Sequence, residues 1–194
     1  MRLGIAHHYG WAIAVSATDD HDVVDRRRIE LLDRDLPSAP IHHEGGTHAM
    51  HHTGQLRSDE ALADLVAEVR ASVVRATRAA LRDLVDTVSE PYKVIAVRDW
   101  PDTFPTDIAT LRRPPYESRA DSVMYCQVLA AVGAERGWDV YRYDAKTVES
   151  QAASQLGARA HAVLHGPRAP LGSPWSNDHR IALAATILSV SGSA

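Results

Sequence analysis

The chain opens with three apolar runs, residues 3–6, 11–17 and 23–32, separated by the polar stretches HHYG and TDDHD. Runs of this length bounded by turn-forming residues predict β-strands, and such short connections predict an antiparallel opening. Residues 33–57, DRDLPSAPIHHEGGTHAMHHTGQLR, mix Pro, Gly and polar side chains without a period, which predicts a long, His-rich surface loop. From Ser58 the spacing changes: Leu62, Leu65, Val66, Val69, Val73, Ala76, Ala80, Leu81, Leu84 and Val88 recur on one helical face. Ser58 suits the N-cap, Asp59 and Glu60 suit the positive end of the helix dipole, and Pro91 marks a stop.

The second half alternates. YKVIAVRDW reads as a buried strand, followed by a Pro-rich connection over residues 101–115. A helix over 117–136 ends at Gly137, WDVYRY supplies another strand, and Thr147 is placed to cap a helix running towards His165. GPRAPLGSPW breaks that helix, and NDHRIALAATILSV forms the last one. The order β-β-β-α-β-α-β-α-α predicts an α/β protein, a mixed sheet of about five strands between helices in three layers, α/β/α.

Composition narrows the class. A chain of 194 residues, 45% hydrophobic and 24% charged, fits one domain over 1–194 with a substantial core. No apolar run approaches the ~18 residues that span a bilayer, so no membrane partner is expected. His7, His8 and Tyr9 interrupt the first apolar stretch, unlike a signal peptide, and a cytoplasmic location is expected. The single cysteine, Cys126, excludes an internal disulfide and any cysteine-rich metal site, and its apolar neighbours predict a buried thiol. A net charge of -4 provides no overall field for nucleic acid, so any such binding requires a local basic patch.

In sheets of this class, sites collect where strand ends meet helix ends. Those places hold His7 and His8 after the first strand, Asp99 after the fourth, and Asp178 and His179 at the start of the last helix. Oxygen-rich clusters of this kind hold magnesium or manganese for phosphodiester hydrolysis. Each residue also has a plainer role open to it: Asp178 as a helix cap, Asp99 as a strand-end turn, His179 as a surface residue, His7 and His8 as turn residues.

The order of elements, with RLGIAHHYGWAIAVS, VIAVRDW, GWDVYRYDAKTV and SNDHRIALAATIL, resembles the ribonuclease H-like superfamily, and within it bacterial Holliday-junction resolvases and their relatives. The resemblance implies a divalent-metal-dependent nuclease, a hydrolase of DNA or RNA using Mg2+ or Mn2+, with a homodimer as one possible assembly. It implies Asp99 and Asp178 as catalytic metal ligands, with His7 and His179 as further candidates. Two positions depart from the family pattern: Ala6 stands where the first-strand acid is expected, and Ile181 where the second helix acid is expected. Three readings stay open. His7 supplies a nitrogen ligand, although successive strand residues point to opposite faces; the fold serves as a non-catalytic module binding nucleic acid or protein; or Ala6 is an inactivating substitution. Nucleotide binding like that of actin-like ATPases lacks its glycine-rich phosphate turn.

Two further groups carry potential chemistry. LRRPPYESR offers Arg112, Arg113 and Arg119 to phosphates, with Tyr116 as a stacking platform, or else is a solvent-facing connection. His42, His43, His48, His51 and His52 with Glu44 concentrate metal-binding side chains in a segment that otherwise reads as a solvent loop.

Overall fold

The structure is a computed structural model that describes residues 1–47 and 56–189. The opening runs form β1 (Arg2–His7), β2 (Trp11–Ala17) and β3 (Val23–Glu30) as an antiparallel meander. Gly10, at φ +82°, turns the chain between β1 and β2, a conformation that costs other residues a steric clash. β4 (Val94–Arg98) pairs parallel to β1, and β5 (Asp139–Tyr143) pairs parallel to β4, giving the sheet order β3-β2-β1-β4-β5.

Strand alternation divides the apolar residues between two faces. Leu3 and Ile5 of β1, with Ile95 and Val97 of β4, pack towards the helices α1 (Asp59–Val85) and α3 (Glu117–Glu135). Ala6 and Ala96 pack with Leu183, Ala184 and Ile187 of the last helix, α7 (Asn177–Leu188), beside α4 (Val148–Leu156) and α5 (Ala160–His165). The α/β/α layering is thus written in the odd and even positions of the central strands. Among the described residues no helix is long and apolar enough to cross a membrane.

Several expectations change in detail. Ser58 caps α1 by accepting from the Ala61 N–H, but the helix ends at Val85, well before Pro91, where the Thr87 hydroxyl donates to the Asp83 carbonyl. The helix expected from Thr147 breaks after Leu156 at Gly157, whose φ of +56° ends α4. Short helices α2 (Ile108–Leu111) and α6 (Arg168–Leu171) lie in the Pro-containing connections. The segment expected to be an irregular loop contains a π-helical turn, Pro40–Gly45, because the Asp121 carboxylate accepts the Ile41 and His42 N–H groups. His48, His51 and His52 lie outside the described residues.

One close approach sets the position of α7. A Cβ built on Gly4 stands 1.9 Å from the Ala182 carbonyl oxygen, so only glycine lets β1 and α7 touch backbone to backbone. Replacing Gly4 with Ala is expected to cost at least about 2 kcal/mol, because backbone rather than a flexible side chain must move; urea denaturation of Gly4→Ala against the parent measures it.

Candidate functional site at the carboxyl edge of the sheet

The parallel strands β1 and β4 end side by side, and the amino end of α7 arrives next to them. Gly4 pairs with Ala96, and the same parallel register continued two residues sets Ala6 level with Arg98. Both occupy positions on the α7 face. Beyond them opens a cleft of about 810 Å³ whose walls include Arg98, Asp99, Arg119, Tyr143, Lys146, Asp178 and Ile181. Tyr143 closes the floor, its hydroxyl donating to the Ile5 carbonyl at 2.7 Å, and burial holds that phenol protonated far above its usual range.

Of the residues expected to bind metal, Asp99 and Asp178 both border the cleft, whereas His7 and His179 turn away from it. Asp99 lies in the cleft wall but is held by Arg142 of β5, whose Nε donates to its Oδ1 at 2.7 Å. The same guanidinium binds Asp102 and the Trp100 carbonyl and stacks 4.2 Å from the Trp100 ring centre. His7 points to the other face of the sheet, as alternation requires, with Nε2 3.1 Å from the Ser122 hydroxyl on α3 and the Cys126 thiol beside it. His179 is buried, its Nδ1 accepting the Ser176 N–H at 3.1 Å in a helix cap. Asp178 faces the cleft, with Oδ2 3.0 Å from Nε2 of His8.

The basic cluster also divides. Arg112 is buried and structural: it donates to the Gly45 and Arg57 carbonyls and pairs with Asp59, tying together both feet of the segment between 45 and 57. Tyr116 meets Phe104 edge-on at 5.7 Å, and Arg113 is exposed outside the cleft wall. Arg119 alone of this group borders the cleft. Two further cations, not among the candidates named from the sequence, join it there, Arg98 and Lys146. The alternation Ile95-Ala96-Val97-Arg98 was the signal for the first, since it puts Arg98, not Asp99, on the face of Ala6.

Comparison with solved structures agrees with this architecture. T. thermophilus RuvC, solved in complex with a Holliday junction substrate, superposes with a TM-score of 0.54 at 12% identity, over 98% of this chain and 95% of that chain. The fold is ribonuclease H-like. No protein-family model and no curated protein matches the chain.

The magnesium or manganese implied by such a fold does not fit the donor set. Ala6 and Ile181 carry no ligand atom, and Arg98, on the same face of the sheet as Ala6, places a fixed positive charge in the cleft. No cluster of three or more His, Cys, Asp or Glu side chains able to hold a metal ion occurs among the described residues. The arrangement suits an anion instead. Arg98 Nε is buried with no hydrogen-bond partner, and the side chains of Arg98, Arg119 and Lys146 form no hydrogen bond or ion pair with a described residue, whereas Asp99 and Asp178 are each already paired.

Two buried groups behind the site titrate in opposite senses. Burial, then the charge of Arg98, lowers His7 from 6.5 to about 3, while burial raises Asp121 from 3.8 to about 7 against the pull of its two backbone donors. The Asp121 contribution to stability is therefore full below about pH 4 and lost as pH rises through about 7; that of His7 is full above about pH 6.5 and lost as pH falls towards about 3. Between these limits the two oppose each other. Asp121→Asn is expected to remove the loss on the rising side and His7→Gln the loss on the falling side. Each change amounts to at most about 1.4 kcal/mol per pH unit, read from urea denaturation across pH 3–8.

Proposed function

We propose that this chain is a ribonuclease H-like module that binds nucleic acid by gripping its sugar–phosphate backbone with side-chain cations at the carboxyl edge of β1 and β4. The observation that carries the reading is Arg98, a partly buried residue in the cleft wall whose Nε lacks a hydrogen-bond partner. Buried polar groups are normally satisfied, and a guanidinium nitrogen that is not has capacity to take a water, an ion or a ligand oxygen. A guanidinium matches a phosphate with paired donors, and Arg119 and Lys146 supply further charge in the same cleft. The protein to which the fold is similar was solved on a branched DNA, which makes nucleic acid the phosphate polymer of choice. The overall charge of -4 confines attraction to this cleft.

A metal-dependent nuclease is the second reading, and it rests on Asp99 and Asp178 both bordering the cleft. Arg98 stands against it, because its fixed charge in the same cleft repels a divalent ion.

Fluorescence anisotropy with labelled single-stranded, duplex and four-way DNA and with RNA, all in EDTA, tests the proposal. Binding is expected without metal. Arg98→Gln should weaken it about tenfold or more on every sequence and lower the slope of log K against log salt by about one. Absence of binding, or binding that appears only with magnesium or manganese, rejects it.

A further inference from the structure

Lys146 borders a second hollow besides the cleft, of about 500 Å³, whose walls also include Glu149, Ser150, His161, Leu164 and His165. The chain builds it by doubling back. Gly157 ends α4 at φ +56°, a single tight turn over Gly157–Arg159 follows, and α5 returns so that His165, its last residue, meets Glu149 in the first turn of α4. Leu164 is buried and anchors α5 to the core, while His161 and His165, one helical turn apart, share an exposed face. Their rings lie nearly parallel, with planes 18° and centroids 5.1 Å apart. Neither imidazole forms a hydrogen bond with a described residue. Glu149 Oε1, which accepts from Arg180 Nε at 2.9 Å, stands 4.0 Å from His165 Nε2.

We propose that His161 and His165 form a chelating site for a first-row transition ion, Zn2+, Ni2+ or Cu2+, independent of what the cleft binds. Two imidazoles four residues apart project from the same side of successive helical turns, the spacing through which a helix can hold zinc. Ring nitrogens favour these ions over magnesium and manganese, which take oxygen donors. No third His, Cys, Asp or Glu completes a ligand set among the described residues, so water fills the remaining positions and the ion exchanges with solvent. Glu149 offsets part of the ion's charge through space, and its bond to Arg180 fixes it in place. Lys146, unlike Arg98, is exposed on a flexible stem, and solvent and salt screen its charge.

His42, His43, His48, His51 and His52 carry imidazoles of their own, so the readout must be local to α5. Paramagnetic Cu2+ is titrated into the isotope-labelled full chain while backbone amide signals are followed by NMR. Substoichiometric copper should broaden the signals of residues 160–166 and of Glu149; a large excess of Zn2+ should restore them, and the same excess of Mg2+ should not. His161→Gln and His165→Gln replace exposed side chains and should leave the rest of the spectrum in place. Each should weaken copper binding at α5 by at least about tenfold, the loss that even an outer-shell partner of a metal costs. Signals of α5 that stay sharp until copper exceeds one equivalent, that recover with Mg2+, or that broaden equally in His165→Gln overturn the site. Nucleic-acid binding in the cleft, measured in EDTA, stands or falls separately.

Discussion

The backbone contact between Gly4 and Ala182 governs where everything else at the carboxyl edge can lie. A side chain on Gly4 would push α7 away from β1, and the small residues Ala182, Ala184 and Ala185 keep the helix equally slim where it crosses the strand. With the two backbones in contact, the first turn of α7 reaches the end of β1, and Asp178 comes within hydrogen-bond distance of His8. The same approach leaves Ile181 at the cleft wall and Ala6 beneath α7, so the cleft is shaped by helix–strand packing before any polar residue is considered.

Charge then decides what the cleft accepts. A divalent ion about 4 Å from a guanidinium is repelled by about 8 kcal/mol at an effective dielectric of about 20, and several carboxylates would be needed to offset it. At this edge Asp99 is spent on Arg142 and Asp178 on His8, while Ala6 and Ile181 offer no oxygen. The field of Arg98 is instead felt by the neutral groups around it: it lowers His7 and opposes the burial that pushes the Cys126 thiol up to about 12. A phosphate oxygen entering the cleft meets a positive charge that is already partly desolvated and lacks a partner at Nε. An arginine at this strand end, with the nearby acids already paired, therefore makes the cleft more hospitable to an anion than to a cation.

What could be read in the sequence followed from period and parity. The five strands, the long helix from Ser58 and the opposed faces of Ala6 and His7 all follow from local alternation, which the packing enforces. Contacts over long sequence distances were not legible. Arg112 looked like a phosphate ligand until the fold set Gly45, Arg57 and Asp59 around it, 53 to 67 residues away. Asp121 looked like one more helix residue, yet it carries the π-helical turn 80 residues before it. Asp99 was chosen for its carboxylate, whereas the pleat assigns the inward position to its neighbour, and only the partner strand β5 shows that Arg142 claims that acid. Side-chain chemistry nominated candidates, and parity together with distant partners sorted them.

The three residues Ala6, His7 and His8 condense that sorting into consecutive positions. Ala6 lies under α7 and removes a ligand atom from the face where acids would gather. His7, one residue on, is turned to α3, where burial keeps it neutral and its bonds to Ser122 and Cys126 join strand to helix. His8 has left the ladder, its N–H closing the turn onto the Trp11 carbonyl, so its ring is released from the pleat and free to meet α7 at the edge. Adjacent histidines of the same composition thus take opposite tasks, one holding the interior together and one facing solvent beside the cleft. The backbone sets that division: a strand residue inherits its face from its neighbour, and the first residue past the strand does not.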